Sequence, residues 1–210
     1  MSTSTLKLLL VELIGTFILA LLVGTLLINA GVGSYVAFYI PCGAAVTIGL
    51  FTYCFSESEL GSLNPAVALG KYLANKLSIL GLGVAVGSEL VGAYCGILLA
   101  RFLNDAPLLV PQGYSIRADI GELIGSALFV FVVIRSAYGQ IAPQAGGLAV
   151  GVALLIGLSI SLSVSGGILN PALALGMGDI HLSYLLMPLI GGGIGALLAR
   201  AVRPVLINNQ

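Results

Sequence analysis

The chain of 210 residues has little charge, a single histidine and no tryptophan. Only 8% of its residues are Asp, Glu, Lys or Arg, whereas a soluble domain carries about 25%. Acidic and basic side chains balance, so the composition does not favour nucleic acid as a partner. The cysteines (Cys42, Cys54 and Cys95) lie in apolar runs without metal-ligand spacing, and no catalytic combination of side chains is evident. We therefore expect neither an enzyme nor a site for a metal or another cofactor.

Apolar residues and glycine dominate instead. Hydrophobic residues make up 59% of the chain, the mean hydropathy is +1.13, and 29 residues are glycine. These values are typical of an integral membrane protein whose helices pack closely through small residues. Six apolar runs are long enough to cross about 30 Å of hydrocarbon as helices: 8–30, 34–56, 77–101, 118–138, 145–165 and 182–203. Glycine pairs predict close helix crossings, within one subunit or between subunits, at Gly92/Gly96, Gly121/Gly125, Gly147/Gly151 and Gly191/Gly195.

One phrase occurs twice with a single difference. It reads LNPAVALG from Leu63 to Gly70 and LNPALALG from Leu169 to Gly176. Asn is a favoured N-cap and Pro is favoured at the first helical position, so each Asn-Pro pair predicts the start of a helix. The apolar segments that follow, at about 64–74 and 170–177, are too short to span a bilayer. We predict two half-helices that enter the membrane and end midway.

The two halves of the chain also match outside this phrase. The segment Glu12-Leu-Ile-Gly-Thr16 recurs as Glu122-Leu-Ile-Gly-Ser126. Because each half holds an odd number of spans, the second half must enter the membrane upside down relative to the first. We predict an all-α membrane protein with six transmembrane helices and two re-entrant half-helices. Its single domain, 1–210, consists of two inverted repeats at about 1–105 and 106–210, joined by a linker at about 102–117.

The distribution of Lys and Arg predicts the orientation in the membrane. With the N-terminus in the cytoplasm, Arg101 and Arg117 lie outside. The others lie on the cytoplasmic side: Lys7, Lys71, Lys76, Arg135, Arg200 and Arg203. The excess of Lys and Arg on the cytoplasmic side agrees with the positive-inside rule. We therefore expect both termini in the cytoplasm, no separate regulatory domain, and the cell membrane as the location.

Upside-down halves bring the two Asn-Pro pairs together near the middle of the bilayer. Each Asn oxygen is used in capping, which leaves each NH2 group free to point into a lumen. The positive ends of two helix dipoles converge at the same place and oppose cations. A water molecule that accepts hydrogen bonds from both side chains cannot readily pass a proton onward. This arrangement favours a pore for small neutral molecules; the alternative is the broken-helix core of a transporter, although no coupling-ion site is evident.

These residues resemble the signature of the aquaporin, or major intrinsic protein, family, and the similarity covers essentially the whole chain. It rests on two Asn-Pro-Ala motifs (Asn64, Pro65, Ala66 and Asn170, Pro171, Ala172), on Glu12 and Glu122, on the Ser88–Ala93 segment, and on Met187-Pro188 with the glycines of 191–195. The resemblance implies the six-span fold with two half-helices. It also implies a homotetramer in the lipid bilayer, with one pore in each subunit.

The chain departs from the family pattern at the outer filter. Where the family usually has Arg after the second Asn-Pro-Ala, this chain has Leu173, and Ser62 stands in place of a frequent His. By ungapped spacing, the filter positions are Ala44, Leu158, Gly167 and Leu173. The spacing assigns the first two to within one residue, so that their immediate neighbours in the chain are the alternatives. This filter has no aromatic ring, imidazole or charge. It predicts an apolar constriction that is either wide or closed by dewetting.

From these features we expect a passive channel for water, small uncharged solutes or both, with glycerol, urea, hydrogen peroxide and ammonia as open alternatives. Two other functions remain. One is a structural or adhesive membrane protein with a poorly conducting pore, and the other is an ion-conducting variant, because Leu173 replaces the filter cation. Glu12 and Glu122 are ionisable groups inside spans. We interpret them as acceptors for backbone N–H groups of the loops before the half-helices, with a proton relay as the alternative.

Overall fold

The structure, a computed structural model, describes residues 2–29, 36–55, 61–107 and 115–202. In these ranges the regular structure is helical, without a β-strand. The same ranges contain, in chain order, the helices α1 Thr3–Ile28, α2 Val36–Cys54, α3 Pro65–Leu73, α4 Ile79–Asn104, α5 Ile116–Ala137, α6 Pro143–Ser165, α7 Pro171–Met177 and α8 Leu182–Ala201. The predicted all-α class is therefore confirmed.

The long helices correspond to the predicted spans. Of the described helices, five are long and apolar enough to cross a bilayer, namely α1, α4, α5, α6 and α8, while the apolar part of α2, Phe38–Cys54, is shorter. Helix α1 begins at Thr3 rather than near residue 8, because the Oγ of Ser2 accepts a capping hydrogen bond from the Thr5 N–H (3.2 Å). Residue 203, where the last span is predicted to end, and 108–114 of the predicted linker lie outside the described residues.

The two short helices begin where the repeated phrase predicts. Helix α3 starts at Pro65 and α7 at Pro171, each directly after its Asn N-cap. They contain 9 and 7 residues, so neither is long enough to cross a bilayer. Helix α7 ends at Met177, and its C-cap residue Gly178 has a left-handed backbone (φ 87°), the conformation that glycine favours at a helix end.

Glycine lets the long helices of each half approach closely. Gly92 and Gly96 of α4 meet backbone oxygens of α1, where an added Cβ would lie 2.5 Å from the oxygen. Gly191 and Gly195 of α8 meet backbone oxygens of α5 at a still closer approach. A side chain does not fit at such distances, so these pairs set the α1–α4 and α5–α8 crossings.

Gly147 and Gly151, together with the half-helices, join the two halves of the chain, whereas Gly121 and Gly125 pack within the second half. Gly147 and Gly151 of α6 face α2, where an added Cβ would lie 2.5 and 2.8 Å from backbone oxygens. Gly121 and Gly125 of α5 face α6. Helix α3 packs on α8 and α7 packs on α4, so a long helix of the opposite half supports each half-helix. All four predicted pairs thus serve crossings inside one chain.

The distribution of polar and apolar side chains is inverted relative to a soluble protein. Three carboxyl side chains, Glu12, Glu89 and Glu122, are fully buried. Large apolar side chains cover the outside of the long helices, with exposures as high as 80% for Phe102 and 70% for Val46. Such a surface is stable in lipid, whereas the buried carboxyls need polar partners inside the bundle.

Candidate functional site

The two asparagines of the repeated phrase cap the half-helices. Asn64 Oδ1 accepts a hydrogen bond from the Ala66 N–H (2.9 Å). Asn170 Oδ1 accepts from the N–H groups of Ala172 (3.0 Å) and Leu173 (3.4 Å). Both asparagines are almost completely buried. The positive end of each half-helix dipole therefore lies beside its asparagine.

A reciprocal pair of hydrogen bonds joins the two half-helix starts. Asn64 Nδ2 donates to the Leu169 carbonyl oxygen, and Asn170 Nδ2 donates to the Leu63 carbonyl oxygen, both at 2.8 Å. Each side chain thus reaches the residue that precedes the other asparagine. Each NH2 group was predicted to be free to point into a lumen, and the structure shows that one of its two N–H bonds is used across the junction, where the opposite half supplies an acceptor.

Leu63 and Leu169 adopt an uncommon backbone conformation at this junction. Both have φ 51°, in the left-handed region that bulky residues rarely occupy. Such a conformation costs on the order of 1–3 kcal/mol per residue and persists only where its surroundings enforce it. The Leu63 N–H donates to Glu12 Oε2, and the Leu169 N–H donates to Glu122 Oε2, both at 2.7 Å. Neither leucine is among the predicted site residues, although each begins a copy of the repeated phrase.

Glu12 of α1 and Glu122 of α5 anchor the loops that lead into the half-helices. Glu12 accepts the N–H groups of residues 61–63 at 3.2, 2.8 and 2.7 Å. Glu122 accepts the Ser165 hydroxyl (2.6 Å) and the Ile168 N–H (3.0 Å) in addition to the Leu169 N–H. Irregular backbone inside a membrane must find its hydrogen-bond partners within the protein, and these two carboxyls supply them.

The four predicted filter positions border one cavity together with both asparagines. This narrow cavity has a volume of about 40 Å³ and is lined by Ala44, Leu158, Gly167 and Leu173, besides Asn64 and Asn170. Ala44, Leu158 and Leu173 are each about 5% exposed or less. Apart from the two asparagines, the described side chains along its wall are apolar. The structure thus brings the two groups of predicted site residues to one place.

A wide cavity of about 320 Å³ adjoins the narrow cavity. Its lining includes the polar residues Ser62, Thr52 and Ser136. Among the described residues that line the two cavities, the charged ones are Lys71 and Lys76, and both border the wide cavity. Lys71, predicted only as a topology charge, is 5% exposed. The narrow cavity therefore has only its two asparagines as polar side chains, whereas the wide cavity combines a mainly apolar lining with hydroxyl and ammonium groups.

Ile48 of α2 and Phe129 of α5 line both cavities and mark where they meet. Both side chains are buried. They were not among the predicted site residues, because they belong to long apolar runs in which nothing separates a pore-lining position from a core position. These two side chains therefore lie at the boundary between the two cavities.

The fold and the site define an integral membrane protein in which two capped half-helices meet beside a pair of adjoining cavities. The chain belongs to the major intrinsic protein family, because the model of that family matches residues 1–199. The family resemblance predicted from the two Asn-Pro-Ala motifs is thereby confirmed.

The sequence relatives include plant aquaporins. "Probable aquaporin PIP2-5" of Arabidopsis thaliana is 27% identical over 173 residues, which cover 71% of this chain and 60% of that protein. "Aquaporin PIP1-3" of the same plant is 28% identical over 174 residues, covering 71% of this chain and 61% of that protein. The chain thus spans about 60% of the length of these curated relatives.

A solved structure has the same fold. The X-ray structure of the aquaglyceroporin from Plasmodium falciparum matches with a TM-score of 0.70, and the match covers 93% of both chains. The sequence identity is 20%, so this similarity establishes the shared fold alone.

Proposed function

We propose that this chain is a passive channel that conducts water and small uncharged solutes across a membrane and excludes ions. The reciprocal hydrogen bonds of Asn64 and Asn170 carry the proposal, because they hold both amide groups at the wall of one cavity. The names of the relatives, plant aquaporins, and of the structural neighbour, an aquaglyceroporin, support the same function.

The ion barrier in this proposal is the junction of the two half-helices. One N–H of each asparagine amide is bonded across the junction, and the second N–H is available to a molecule in the narrow cavity. A water molecule there accepts through its oxygen, so it cannot relay a proton past the junction. The positive dipole ends of α3 and α7 raise the energy of a cation at the same point. The barrier comprises Asn64, Pro65, Ala66, Asn170, Pro171 and Ala172.

We propose Ala44, Leu158, Gly167 and Leu173 as the solute filter. None of these residues has a charged or hydrogen-bonding side chain, and the polar side chains that line the narrow cavity are those of the two asparagines. A small solute with an alkyl face, such as glycerol, loses less by passing apolar walls than a strongly hydrated solute does. Urea, hydrogen peroxide and ammonia are the other uncharged candidates.

We also propose an arrangement of the chain in the membrane. The single domain comprises two inverted repeats, about 1–105 and 106–210, and the subunits form a homotetramer with one pore each. The equivalent anchoring of the two loops by Glu12 and Glu122 supports the repeats. The distribution of Lys and Arg supports both termini in the cytoplasm, with the cell membrane as the location.

Stopped-flow light scattering on proteoliposomes tests the channel. A gradient of an impermeant osmolyte reports water permeability, and a glycerol gradient reports solute permeability. We expect faster shrinkage than in empty vesicles in the first case and faster reswelling in the second. Permeabilities equal to those of empty vesicles would refute the channel and favour the structural or adhesive alternative.

We expect the double substitution Asn64→Asp with Asn170→Asp to make the channel leak cations. Asp has no N–H to donate to the Leu63 and Leu169 carbonyls, and its negative charge attracts cations into the cavity. Conductance across planar bilayers measures the leak. Asn75→Asp, the same substitution at an exposed position just beyond α3, is the control. Unchanged ion selectivity in the double variant would contradict the proposed barrier.

A further inference from the structure

Two carboxyl groups share the backbone N–H groups that lead into α3. The N–H groups of residues 61–63 donate to Glu12 of α1. The N–H of Asn64 donates instead to Glu89 Oε1 of α4, at 2.9 Å. Both carboxyls are fully buried. The segment that carries Asn64 is thus held by a pair of carboxyls.

The second oxygen of Glu89 has no donor. Glu89 Oε2 is buried, and no described atom donates a hydrogen bond to it. The charged groups beside Glu89 are the Lys71 ammonium of α3 and the Glu12 carboxyl. The two carboxyls lie next to each other, because Glu12 Oε2 accepts the N–H of Leu63 and Glu89 Oε1 accepts the N–H of the following residue, Asn64. Two oxygens that both accept cannot bond to each other. A hydrogen bond between the two carboxyls therefore needs a proton on one of them.

Charge leads to the same requirement. Two ionised carboxylates side by side in a buried site repel each other strongly, and such pairs retain one proton. Lys71 carries one positive charge, so it compensates at most one of the two negative charges. Glu12 accepts three N–H donors, which favour its ionised form, whereas Glu89 accepts one. The proton therefore belongs on Glu89.

We propose that Glu12 and Glu89 form a binding site for a single proton, which Glu89 Oε2 carries and donates to the Glu12 carboxylate. As a neutral acid, Glu89 is a positioning residue, because it fixes the backbone of Asn64, whose side chain faces the narrow cavity. The effect on permeation rests on the proposed channel function, whereas the presence of the proton does not.

The second half of the chain has a different arrangement at the equivalent place. Glu122 obtains an additional donor from the Ser165 hydroxyl, which carries its own proton. The position equivalent to Glu89 is Pro188 of α8, since each stands three residues before the first glycine of its helix crossing. Proline has no side-chain oxygen. This difference between the halves provides an internal control.

Substitution of each glutamate by glutamine separates the two arrangements. Glu89→Gln keeps an oxygen for the Asn64 N–H and supplies an N–H in place of the acid proton, so we expect water permeability close to that of the wild type. Glu122→Gln turns an N–H toward the Ser165 hydroxyl or the backbone N–H groups that donate to Glu122. We therefore expect this variant to lose water permeability by at least about tenfold. Glu89→Leu removes the acceptor of the Asn64 N–H, and we expect a similar loss of water permeability. A loss in Glu89→Gln as large as in Glu122→Gln would overturn the proposal.

Infrared spectroscopy detects the proton independently of conduction. A protonated carboxyl has a C=O stretching band separate from the carboxylate bands. We expect this band in the wild type, its loss in Glu89→Gln, and its retention in Asp105→Asn, which removes an exposed carboxyl. If the wild type and Glu89→Gln gave the same spectrum in this region, the proposal would be overturned. A protein that has the band but no permeability would support the proton site and refute the channel.

Discussion

Leu173 is one of the apolar side chains that line the narrow cavity. It lies in the first turn of α7, and its N–H contributes to the Asn170 cap (3.4 Å), which fixes where its side chain enters the cavity. An arginine at this position would bring five N–H donors and a positive charge into a space of about 40 Å³. A single substitution at this position would therefore place a charge in the wall of the narrow cavity.

We expect Leu173→Arg to lower glycerol permeability by at least about tenfold, for which a barrier increase of about 1.4 kcal/mol is sufficient. The larger cationic side chain both narrows the cavity and removes its apolar wall. Leu173→Met, which nearly conserves volume, is the control and should leave permeability almost unchanged. Stopped-flow reswelling in a glycerol gradient measures both variants. Equal glycerol permeability in the two would exclude Leu173 as a filter residue.

The half-helices α3 and α7 are stable only as parts of the assembled bundle. Isolated helices shorter than about 12–15 residues are marginal in water, and these two are shorter. Their caps, the Glu12 and Glu122 anchors and the long helices of the opposite half provide the missing stabilisation. Precise helix crossings are therefore a requirement for the site as well as for the fold.

We expect Gly92→Ala to lower the midpoint of thermal unfolding in detergent. The added Cβ would lie 2.5 Å from the Leu13 backbone oxygen, and overpacking of this kind costs about 1–3 kcal/mol. Gly87→Ala in the same helix is the control, because Gly87 is exposed and its added Cβ would meet nothing within 4 Å. Helix propensity favours alanine at that position. Equal midpoints for the two variants would contradict the tight α1–α4 crossing.

At the scale of the whole molecule, the two cavities form an asymmetric route. Both cavities have a mainly apolar lining, but the charged side chains Lys71 and Lys76 border only the wide cavity, and Ile48 and Phe129 line both. The residue of the first half equivalent to Phe129 is Leu19, since each lies seven positions after the matched glutamate, Glu12 or Glu122. Leu19 lines only the narrow cavity of the two. The two halves therefore differ where the cavities meet, because the second half contributes the Phe129 ring and the first half has the smaller Leu19 at the equivalent position.

We expect Phe129→Leu to raise glycerol permeability more than water permeability, because a smaller side chain at the meeting point helps the larger solute most. Leu19→Phe, the converse exchange at the equivalent position, should lower glycerol permeability. Phe129→Leu removes part of a buried ring and Leu19→Phe overpacks a buried site, and each change costs roughly 1 kcal/mol or more of stability. Both variants are therefore first checked for a single size-exclusion peak. An unchanged ratio of glycerol to water permeability in both variants would argue against this route.

The parts of the fold that depend on local pattern could be predicted from the sequence. The lengths of the apolar runs predicted the long helices, and the Asn-Pro pairs predicted the starts of α3 and α7. Helix ends were less predictable. Helix α1 begins at Thr3 because Ser2 caps it. The predicted span began only where the apolar run begins, and the polar cap lies before that run.

The contacts that cross the molecule could not be predicted in the same way. The acceptor for the Asn64 amide is the Leu169 carbonyl, and no local pattern pairs two residues so far apart. The position of Phe129 between the two cavities could not be predicted either, since the sequence of an apolar helix does not show which side an apolar residue faces. The roles proposed for Ala44, Leu158, Gly167 and Leu173 stay predictions.

The reciprocal bonds between the half-helix starts also bear on how the protein is made. A chain that emerges from the ribosome inserts its first half before residue 169 exists. Until then, the Leu63 carbonyl and the Asn64 amide lack the partners of the finished molecule, and unsatisfied groups are unfavourable in lipid. The amino-terminal half-helix therefore lacks both of these bonds until its counterpart in the second half has been made.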